Sequence, residues 1–591
     1  MSFESLHSSR KTKEAKSFVQ SAPALADVHG PSQEVGAQNP LHTGEDKSCN
    51  SVHAPISDAE QLPLQPFQVR ESSIAGRGIF ATQAHRPGSI ITAIKPYVSV
   101  MSTPYLAEFC TNCSSPPKES MKLRRCTRCR VVWYCTDKCQ TIDWNVHKYE
   151  CKALRKWEES APATAKVPSD ALRCLGRMFC SFKLHGLDSE WTREIKQMQS
   201  HRTSLPPSAY EPYTHLAHSL IRYLGVESPL ELEPYGIRST ADLVDFISRF
   251  TTNAFTLTSY TLDPIGVAIS PVVAAINHSC DPNAVVICDQ PHEQEPQINL
   301  VAIKPIAPGE EIAISYIDIT LPRQVRRKEL KETYNFDCKC VLCSTPRYDD
   351  PRTAMFCPAR CGGLRPVPTE GGGSPSCNKC KAITKNLEGE LDALNVGQEA
   401  LGKATMLQHT DPQKAKQLTS NIIPILNSAG LAPSCHPLLA MARLHQELLI
   451  ASLPESMTQE TLDDTIRTAA RYAAGVSAIL PVGHPVRGVA LAELGKLLAV
   501  DEPSPPSNMA GSADRFPPSG SARLKLAHET LVRAREELLI GFGTDNGGGL
   551  VGREAREAIV RLEKELGAWT QGINNALEDV KATKTDLPRT C

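Results

Sequence analysis

Between Cys110 and Cys151 the chain places seven cysteines and one histidine in short pairs: Cys110/Cys113, Cys126/Cys129, Cys135/Cys139 and His147/Cys151. Closely spaced donors reach one metal with little loss of loop entropy, and tetrahedral zinc asks for four such soft ligands. Eight ligands in so short a stretch make two closed structural sites, not one catalytic site with an open position. The competing reading is a set of free or disulfide-bonded cysteines. Read as metal sites, this segment is a docking module, so any reaction must be sought on either side of it.

At 591 residues and 41% hydrophobic content the chain is long enough for several domains with real cores. Its formal net charge of −1 gives no electrostatic case for nucleic-acid binding by the whole chain. No stretch approaches the ~18 uninterrupted apolar residues of a membrane span. The start, MSFESLHSSRKTKEAK, lacks the apolar core of a secretory signal. Cysteine pairs without an export signal point to metal in a reducing compartment, with the nucleus and cytoplasm expected, and no membrane partner.

Residues 1–60 are rich in Ser, His, Pro and Gln without periodicity and are expected to be a disordered tail. A core domain is expected over 65–343, interrupted by the cysteine-rich insert at 110–151. Over 165–250, ALRCLGRMFCSFKL, HLAHSLIRYL and TADLVDFISRF carry apolar residues at three- and four-residue steps and predict helices. Short strands return from Val272 to Tyr316. At 355–382, Cys357/Cys361 and Cys377/Cys380 with glycines between them predict a small zinc ribbon. From 386 to 580 the pattern is helix after helix. HPLLAMARLHQELLIASL and HPVRGVALAELGKLLAV begin alike, each with proline at a first helical turn. Such helix pairs predict a tetratricopeptide-like stack, though a strict repeat consensus is absent. EPSPPSNMAGSADRFPPSG is expected to be a flexible interruption of this lobe. Cys49, Cys174, Cys180, Cys288, Cys435 and Cys591 are left over and read as ordinary residues.

Four further motifs lie far apart. SSIAGRGIFAT sets Gly76 and Gly78 around Arg77, and glycine removes the side-chain wall so that a ligand can lie close to backbone. INHSCDPNAVV holds Asn277, His278, Cys280, Asp281 and Asn283 between apolar runs. KPIAPGEEIAISYID puts Pro308-Gly309 at a turn and alternates Ile312, Ile314 and Tyr316 on one face of a strand. YNFDCKCVLC supplies Tyr334, Phe336, Cys338, Cys340 and Cys343. Three thiolates leave a zinc one ligand short, and Cys280 is the best-placed fourth. In this order the motifs resemble those of a SET methyltransferase domain, from roughly Phe67 to Cys343, and the Cys110–Cys151 spacing resembles a MYND zinc finger. A finger inserted after the first SET motif is the arrangement of the SET-and-MYND family of protein-lysine methyltransferases.

That resemblance implies an α+β multidomain chain: a SET β-fold with an inserted MYND finger and helical insert, a post-SET zinc site and an all-α C-terminal lobe. It implies crossed ligation in the finger. Cys110, Cys113, Cys135 and Cys139 would hold one zinc, and Cys126, Cys129, His147 and Cys151 the other. A third zinc would sit on Cys280, Cys338, Cys340 and Cys343, and a fourth in the ribbon, which only some family members carry. The implied methyl donor is S-adenosylmethionine, gripped by Gly76, Arg77, Gly78, Asn253, Asn277 and His278, with Tyr316 beside it and Phe336 on its adenine side. Tyr316 matches the catalytic tyrosine, and Tyr334 is expected to line the lysine channel. The first motif departs from the family, several members of which carry asparagine between the glycines and a basic residue before them. Here those places hold Arg77 and Ala75, so Arg77 either meets the donor carboxylate or faces solvent.

Transfer to lysine needs a neutral amine in a dry channel, with its ordinary pKa of ~10.4 lowered by desolvation and nearby charge. A tyrosine ring can wall such a channel while its hydroxyl orients the amine. A histone tail or a non-histone protein carrying the target lysine fits equally well. The competing class is a scaffold that keeps the fold and zinc sites but binds partners through the finger and the helical lobe. Tyr316, Tyr334, Asn277 and the GRG loop together favour the enzyme. From Cys110 to Cys151 eight Lys/Arg stand against four Asp/Glu, but seven thiolates and two zinc ions bring the metallated finger to about +1. Peptide docking, to proline-rich partners for instance, is therefore more economical than DNA binding. A basic face of Lys122, Arg124, Arg125, Arg128 and Arg130 leaves room for weak DNA contact.

Overall fold

The computed structural model describes residues 66–72, 76–118, 121–161, 166–205, 207–345, 350–453, 457–504 and 516–585. The expected tail at 1–60 and most of the expected flexible segment near 505–515 lie outside the described residues.

Strands β1 (Phe67–Ser72), β2 (Gly76–Ala81), β3 (Ile90–Ile94) and β4 (Val98–Met101) precede the cysteine-rich segment, which holds β5 (Arg124–Arg125) and β6 (Trp133–Tyr134). After a helical insert come β7 (Phe255–Thr258), β8 (Pro264–Ile269), β9 (Asn277–His278), β10 (Ala284–Asp289), β11 (Gln297–Ala302) and β12 (Glu311–Ile314). They form three small sheets, β1-β2-β12-β9, β10-β11-β3 and β4-β8-β7. Along β12 the alternation read in the sequence becomes a buried face. Ile312 and Ile314 pack with Ile79, Val273 and Ile276 in one core, as a half-buried strand requires.

The central sheet joins the distant motifs. Strand β12 runs antiparallel to β2, pairing Ile312 with Ile79. It runs parallel to β9, pairing Ala313 with Asn277 and Ile314 with His278. The GRG strand and the Asn277-His278 strand therefore lie on either side of β12. Asn283 locks this arrangement: its Nδ2 donates to the Glu311 carbonyl at 2.9 Å, and its Oδ1 accepts from the Ala313 N–H at 2.9 Å.

The finger does not stand apart. Its helix, Asp137–Ser160, carries Cys139, His147 and Cys151, and Thr136 caps it by accepting from the Cys139 N–H at 3.3 Å. Cys110, Cys113, Cys139 and Cys151 share one core with β4, β8 and the insert helices Asp170–His185, Pro207–Leu224 and Thr240–Asn253. The remaining insert helix of any length is Glu190–Gln197. After β12 the helix Arg323–Tyr334 ends at Asn335, whose left-handed backbone (φ 61) turns the chain toward Phe336.

Strands β13 (Ala354–Phe356) and β14 (Leu364–Pro366) make an antiparallel hairpin whose loop carries Cys357 and Cys361. Seven helices follow: Leu387–Leu407, Pro412–Ser428, His436–Ser452, Gln459–Ile479, Pro485–Leu498, Gly520–Gly541 and Gly549–Thr585, each packed on the next. Val285, Ile287, Val301 and Leu330 share a core with Leu439, Leu462 and Leu538, which fastens the lobe to the β-sheet region. No described helix is long and apolar enough to cross a membrane.

Candidate functional site

A cavity of about 2390 Å³ runs between the sheets, the helical insert and the lobe. Gly76, Arg77, Asn253, Asn277, His278, Tyr316, Tyr334 and Phe336 all line it. Gly76 has φ +68, a conformation that favours glycine, and a Cβ there would meet no atom within 4 Å, so this position faces open space. Gly78 is not among the lining residues. A Cβ on Gly78 would sit 2.4 Å from Glu311 Oε1 and 2.8 Å from Asn277 Nδ2. Its missing side chain makes room for the Asn277 amide, which donates to Glu311 Oε1 at 2.7 Å and to the Arg77 carbonyl at 3.1 Å.

Arg77 and Asn253 are both occupied within the protein. The Arg77 guanidinium donates to the Gln197 carbonyl at 2.5 Å. The Asn253 amide donates to the carbonyls of Gln199 at 2.7 Å and Arg249 at 2.6 Å. With Arg249 on Met198 O and Ser248 on Ser200 O, these groups pin the segment after the Glu190–Gln197 helix against the cavity. Gln197, Met198, Gln199 and His201 of that segment line the cavity, and the sequence reading missed them. They carry no motif, and what holds them is a set of backbone carbonyls that any residue type would offer. Glu311 was also passed over, although it sits inside the GEEIAISYID motif. Thr252 Oγ1, buried and without a hydrogen-bond partner, lines the same cavity.

The aromatic end of the cavity is tightly interlinked. The Tyr316 and Tyr334 rings lie 5.0 Å apart, Tyr316 stands edge-on to Phe336 at 6.3 Å, and His278 lies 5.3 Å from Tyr316. The Tyr334 hydroxyl donates to the Tyr316 carbonyl at 3.2 Å, and the Tyr316 hydroxyl to the Ile276 carbonyl at 2.5 Å. Burial, with smaller contributions from Tyr334 and Glu311, raises the Tyr316 phenol above its ordinary range. Burial pushes Tyr334 up to about 12. Both hydroxyls keep their protons at neutral pH. His278 Nδ1 accepts from the Tyr316 N–H at 3.0 Å, which leaves the proton on Nε2, 3.3 Å from Cys280 Sγ. Burial lowers its pKa to about 4, so the ring is neutral.

Among the described residues four sets of four cysteine or histidine ligands assemble, the donor atoms of each set within 4.8 Å of one another. They are Cys110/Cys113/Cys135/Cys139, Cys126/Cys129/His147/Cys151, Cys280/Cys338/Cys340/Cys343 and Cys357/Cys361/Cys377/Cys380. Sulfur separations include 3.7 Å for Cys113–Cys135, 3.9 Å for Cys126–Cys151, 3.5 Å for Cys280–Cys343 and 3.4 Å for Cys357–Cys380. A zinc tetrahedron with ~2.3 Å bonds has sulfur edges of about 3.8 Å, whereas a disulfide needs ~2.05 Å. The donor sets therefore fit zinc, and the described cysteines are free thiols.

Around His147 lies a buried relay. Its Nδ1 hydrogen-bonds Glu150 Oε2 at 2.8 Å, and Arg177 Nη1 donates to that same oxygen at 2.8 Å. Arg177 Nη2 donates to Asp143, whose other oxygen accepts from the Tyr134 hydroxyl at 2.7 Å. Arg177 belongs to the insert helix Asp170–His185, so the finger is tied ionically to the insert. A proton held on Nδ1 leaves the Nε2 lone pair for the metal.

Residues 76–317 match the SET domain family. The chain is 29% identical over 293 residues to the histone-lysine N-methyltransferase SMYD3 of Homo sapiens, covering 48% of this chain and 64% of that protein. It is 26% identical to the histone-lysine N-methyltransferase ASHR1 of Arabidopsis thaliana, over 71% of this chain and 84% of that one. With the N-lysine methyltransferase SMYD2 of Gallus gallus it shares 30% identity over 46% of this chain and 59% of the relative. The match thus spans less than two thirds of the Homo sapiens SMYD3 and Gallus gallus SMYD2 sequences. A solved SET domain of LSMT bound to lysine and AdoHcy aligns over 85% of this chain at 11% identity and a TM-score of 0.25, too slight a likeness to carry an argument.

Proposed function

We propose that this chain, which belongs to the SET-and-MYND family, is a protein-lysine N-methyltransferase that uses S-adenosylmethionine. The observation that carries the reading is one cavity lined at one end by the GRG loop and Asn277 and at the other by Tyr316, Tyr334 and Phe336. When bound, S-adenosylmethionine supplies an activated methyl group. Gly76, Asn277 and His278 hold it, Phe336 covers its adenine side, and Thr252 Oγ1 offers a buried polar atom in need of a partner. Tyr316 and Tyr334, neutral and packed ring to ring, exclude water from the target lysine and orient its amine. Their hydroxyls accept a hydrogen bond from a neutral amine without ionising.

Four zinc ions complete the chain as tetrahedral cross-links: two in the finger, one after the SET core and one in the ribbon. The domains are taken as 65–343 for SET, 110–151 for the finger, 165–250 for the insert, 355–382 for the ribbon and 386–580 for a tetratricopeptide-like lobe. Leu401, His436, Arg443, Tyr472 and Val489 of the lobe line the cavity, which supports its part in holding the substrate protein. The finger is assigned to peptide docking. Its helix exposes Ile142, Trp144 and Tyr149, apolar surface suited to a peptide, while Arg124 and Arg125 of its basic face contact Asp137 and Trp133. Nucleus and cytoplasm are the compartments where such a metal-rich, reduced chain would act.

Incubation of the purified protein with labelled donor and a panel of histone and cytosolic proteins tests the reading: label should enter lysine. Asn277→Ala should weaken donor binding by about 1–3 kcal/mol, because Glu311 and the donor lose a buried partner. Transfer to no protein, with unchanged calorimetric donor affinity in Asn277→Ala, would replace the enzyme with the scaffold.

A further inference from the structure

Glu311, the first residue of β12, reaches with its side chain to segments that the central sheet brings to either side of it. Its Oε1 accepts from the Asn277 amide of β9 at 2.7 Å, and its Oε2 accepts from the Ser72 hydroxyl at the end of β1 at 2.9 Å. The Asn277 amide also donates to the Arg77 carbonyl of β2 at 3.1 Å. Both hydrogens of that amide are therefore committed, and both to acceptors. A flipped amide would set Oδ1 against a carboxylate and a carbonyl, so these neighbours fix which way it points. Among the described residues no group donates to Asn277 Oδ1, and Asn277 lines the cavity. Gly78 leaves the room for the pair, since a Cβ there would stand 2.4 Å from Glu311 Oε1.

We infer that Glu311 is a positioning residue of the donor site, on the methyl-donor reading above: it holds the Asn277 amide so that a ligand is met by Oδ1, an acceptor, and not by Nδ2. The ligand group that Asn277 reads must then carry an N–H or O–H, which a carboxylate lacks. With the adenine of S-adenosylmethionine on the Phe336 side, that leaves its ammonium or a ribose hydroxyl. Glu311 itself lines the cavity, so the competing role is a direct counter-charge to a cationic ligand. The two roles ask different things of the side chain. Orientation needs an acceptor facing Asn277, which glutamine supplies while turning its own amide to the Ser72 oxygen. A counter-charge needs the ionised carboxylate. Both Glu311 oxygens already accept from neutral donors, which is the arrangement that orientation requires.

The test is calorimetric, on the full chain, with S-adenosylhomocysteine as the probe so that no transfer is required. Glu311→Met should weaken binding about 10-fold, and Glu311→Gln should bring it back to within about threefold of wild type. In an Asn277→Ala background Glu311→Met should cost nothing further, because it acts only through that amide. 5′-Methylthioadenosine, which keeps the ribose and has no ammonium, separates the two sources. A loss confined to S-adenosylhomocysteine assigns Oδ1 to the ammonium, an equal loss for both assigns it to the ribose, and either supports the inference. Should Glu311→Met not fold, Glu311→Ala takes its place and is read the same way. Unchanged affinity in that variant, an equal loss in Glu311→Gln, or losses that add in the double variant each overturn the inference and leave the donor reading in place. A wild-type protein that binds no S-adenosylhomocysteine overturns both.

Discussion

At Cys126, Cys129, His147 and Cys151 every ligand is buried, whereas at Cys357, Cys361, Cys377 and Cys380 two of the four, Cys361 and Cys380, are exposed. The first set is surrounded by a charged relay through Glu150, Arg177 and Asp143, all buried and shared with the insert helix. The ribbon set is supported mainly by backbone. The Lys379 N–H points at Cys377 Sγ, and Gly363 lets that sulfur approach so closely that a Cβ would stand 2.5 Å from it. Yet the ribbon is no loose appendage. Met355 is fully buried among Leu426, Leu431 and Leu438 of the lobe, and the Phe356 N–H donates to the Gly430 carbonyl at 2.7 Å. Metal and fold are thus coupled to different degrees in the two places. Removing zinc from a buried, charge-linked site strands like charges inside the protein, while an exposed site can hydrate its thiolates.

The contrast is most sharply tested at Arg177. Arg177→Met should leave Glu150 and Asp143 buried without a counter-charge, costing about 3–5 kcal/mol, seen as a lower denaturation midpoint with loss of zinc from the finger. A stability equal to wild type would show that the relay is no more coupled to the fold than the ribbon is. Tyr316→Phe supplies the control in which function changes without structure. The ring stays, so all four zinc equivalents and the unfolding midpoint should be retained. Single-turnover transfer should fall by ~10²–10³, the usual effect of removing one oriented hydrogen-bonding group from a reaction centre. Transfer at the wild-type rate would move the role to Tyr334.

Glu150→Gln probes the relay more gently. It keeps the shape around His147 but removes the charge that makes the imidazole a stronger ligand, and zinc affinity at that site should drop about 10–100-fold in a chelator competition. The smallest effect is expected at the ribbon. Cys361→Ser should remove one zinc equivalent while donor affinity and transfer rate stay within about twofold of wild type, since Met355 and the Gly430 contact still anchor the hairpin. A collapse of activity on that substitution would erase the distinction between the two regions.

Much of the ligand chemistry was legible because it is local. Cysteine pairs at two- to four-residue spacing with no export signal point to a metal, and NHSCDPN, GEEIAISYID and YNFDC are short runs whose order along the chain carries the family resemblance. The helices of the insert and lobe were legible for the same reason, their apolar residues recurring at helical steps. Arg177 was not legible. In ALRCLGRMFCSFKL it is one of three basic residues on a largely apolar helix, and only packing against the finger gives it Glu150 and Asp143. Arg77 shows the same limit. Its two readings, donor contact or solvent, did not include the Gln197 carbonyl, because a backbone acceptor carries no mark in a sequence.

What the sequence determined by itself is therefore the inventory and its local pairing: sixteen metal-type ligands, most of them in short pairs, the tyrosines at 316 and 334, a glycine-rich motif and helical periodicity, with the grouping of the ligands into four sets implied by the family resemblance. Only the tertiary structure decided how these join. Strand β12, lying between β2 and β9, sets Gly78 against Asn277 across two hundred residues. The insert helix carries Arg177 to the finger, and the helix after β12 carries Arg323 to the Cys343 carbonyl. The physical reason is that spacing along the chain governs contacts whose loop entropy is small. Contacts between distant segments are set by which apolar faces bury together, and polar partners are then drawn from whatever those faces bring into reach.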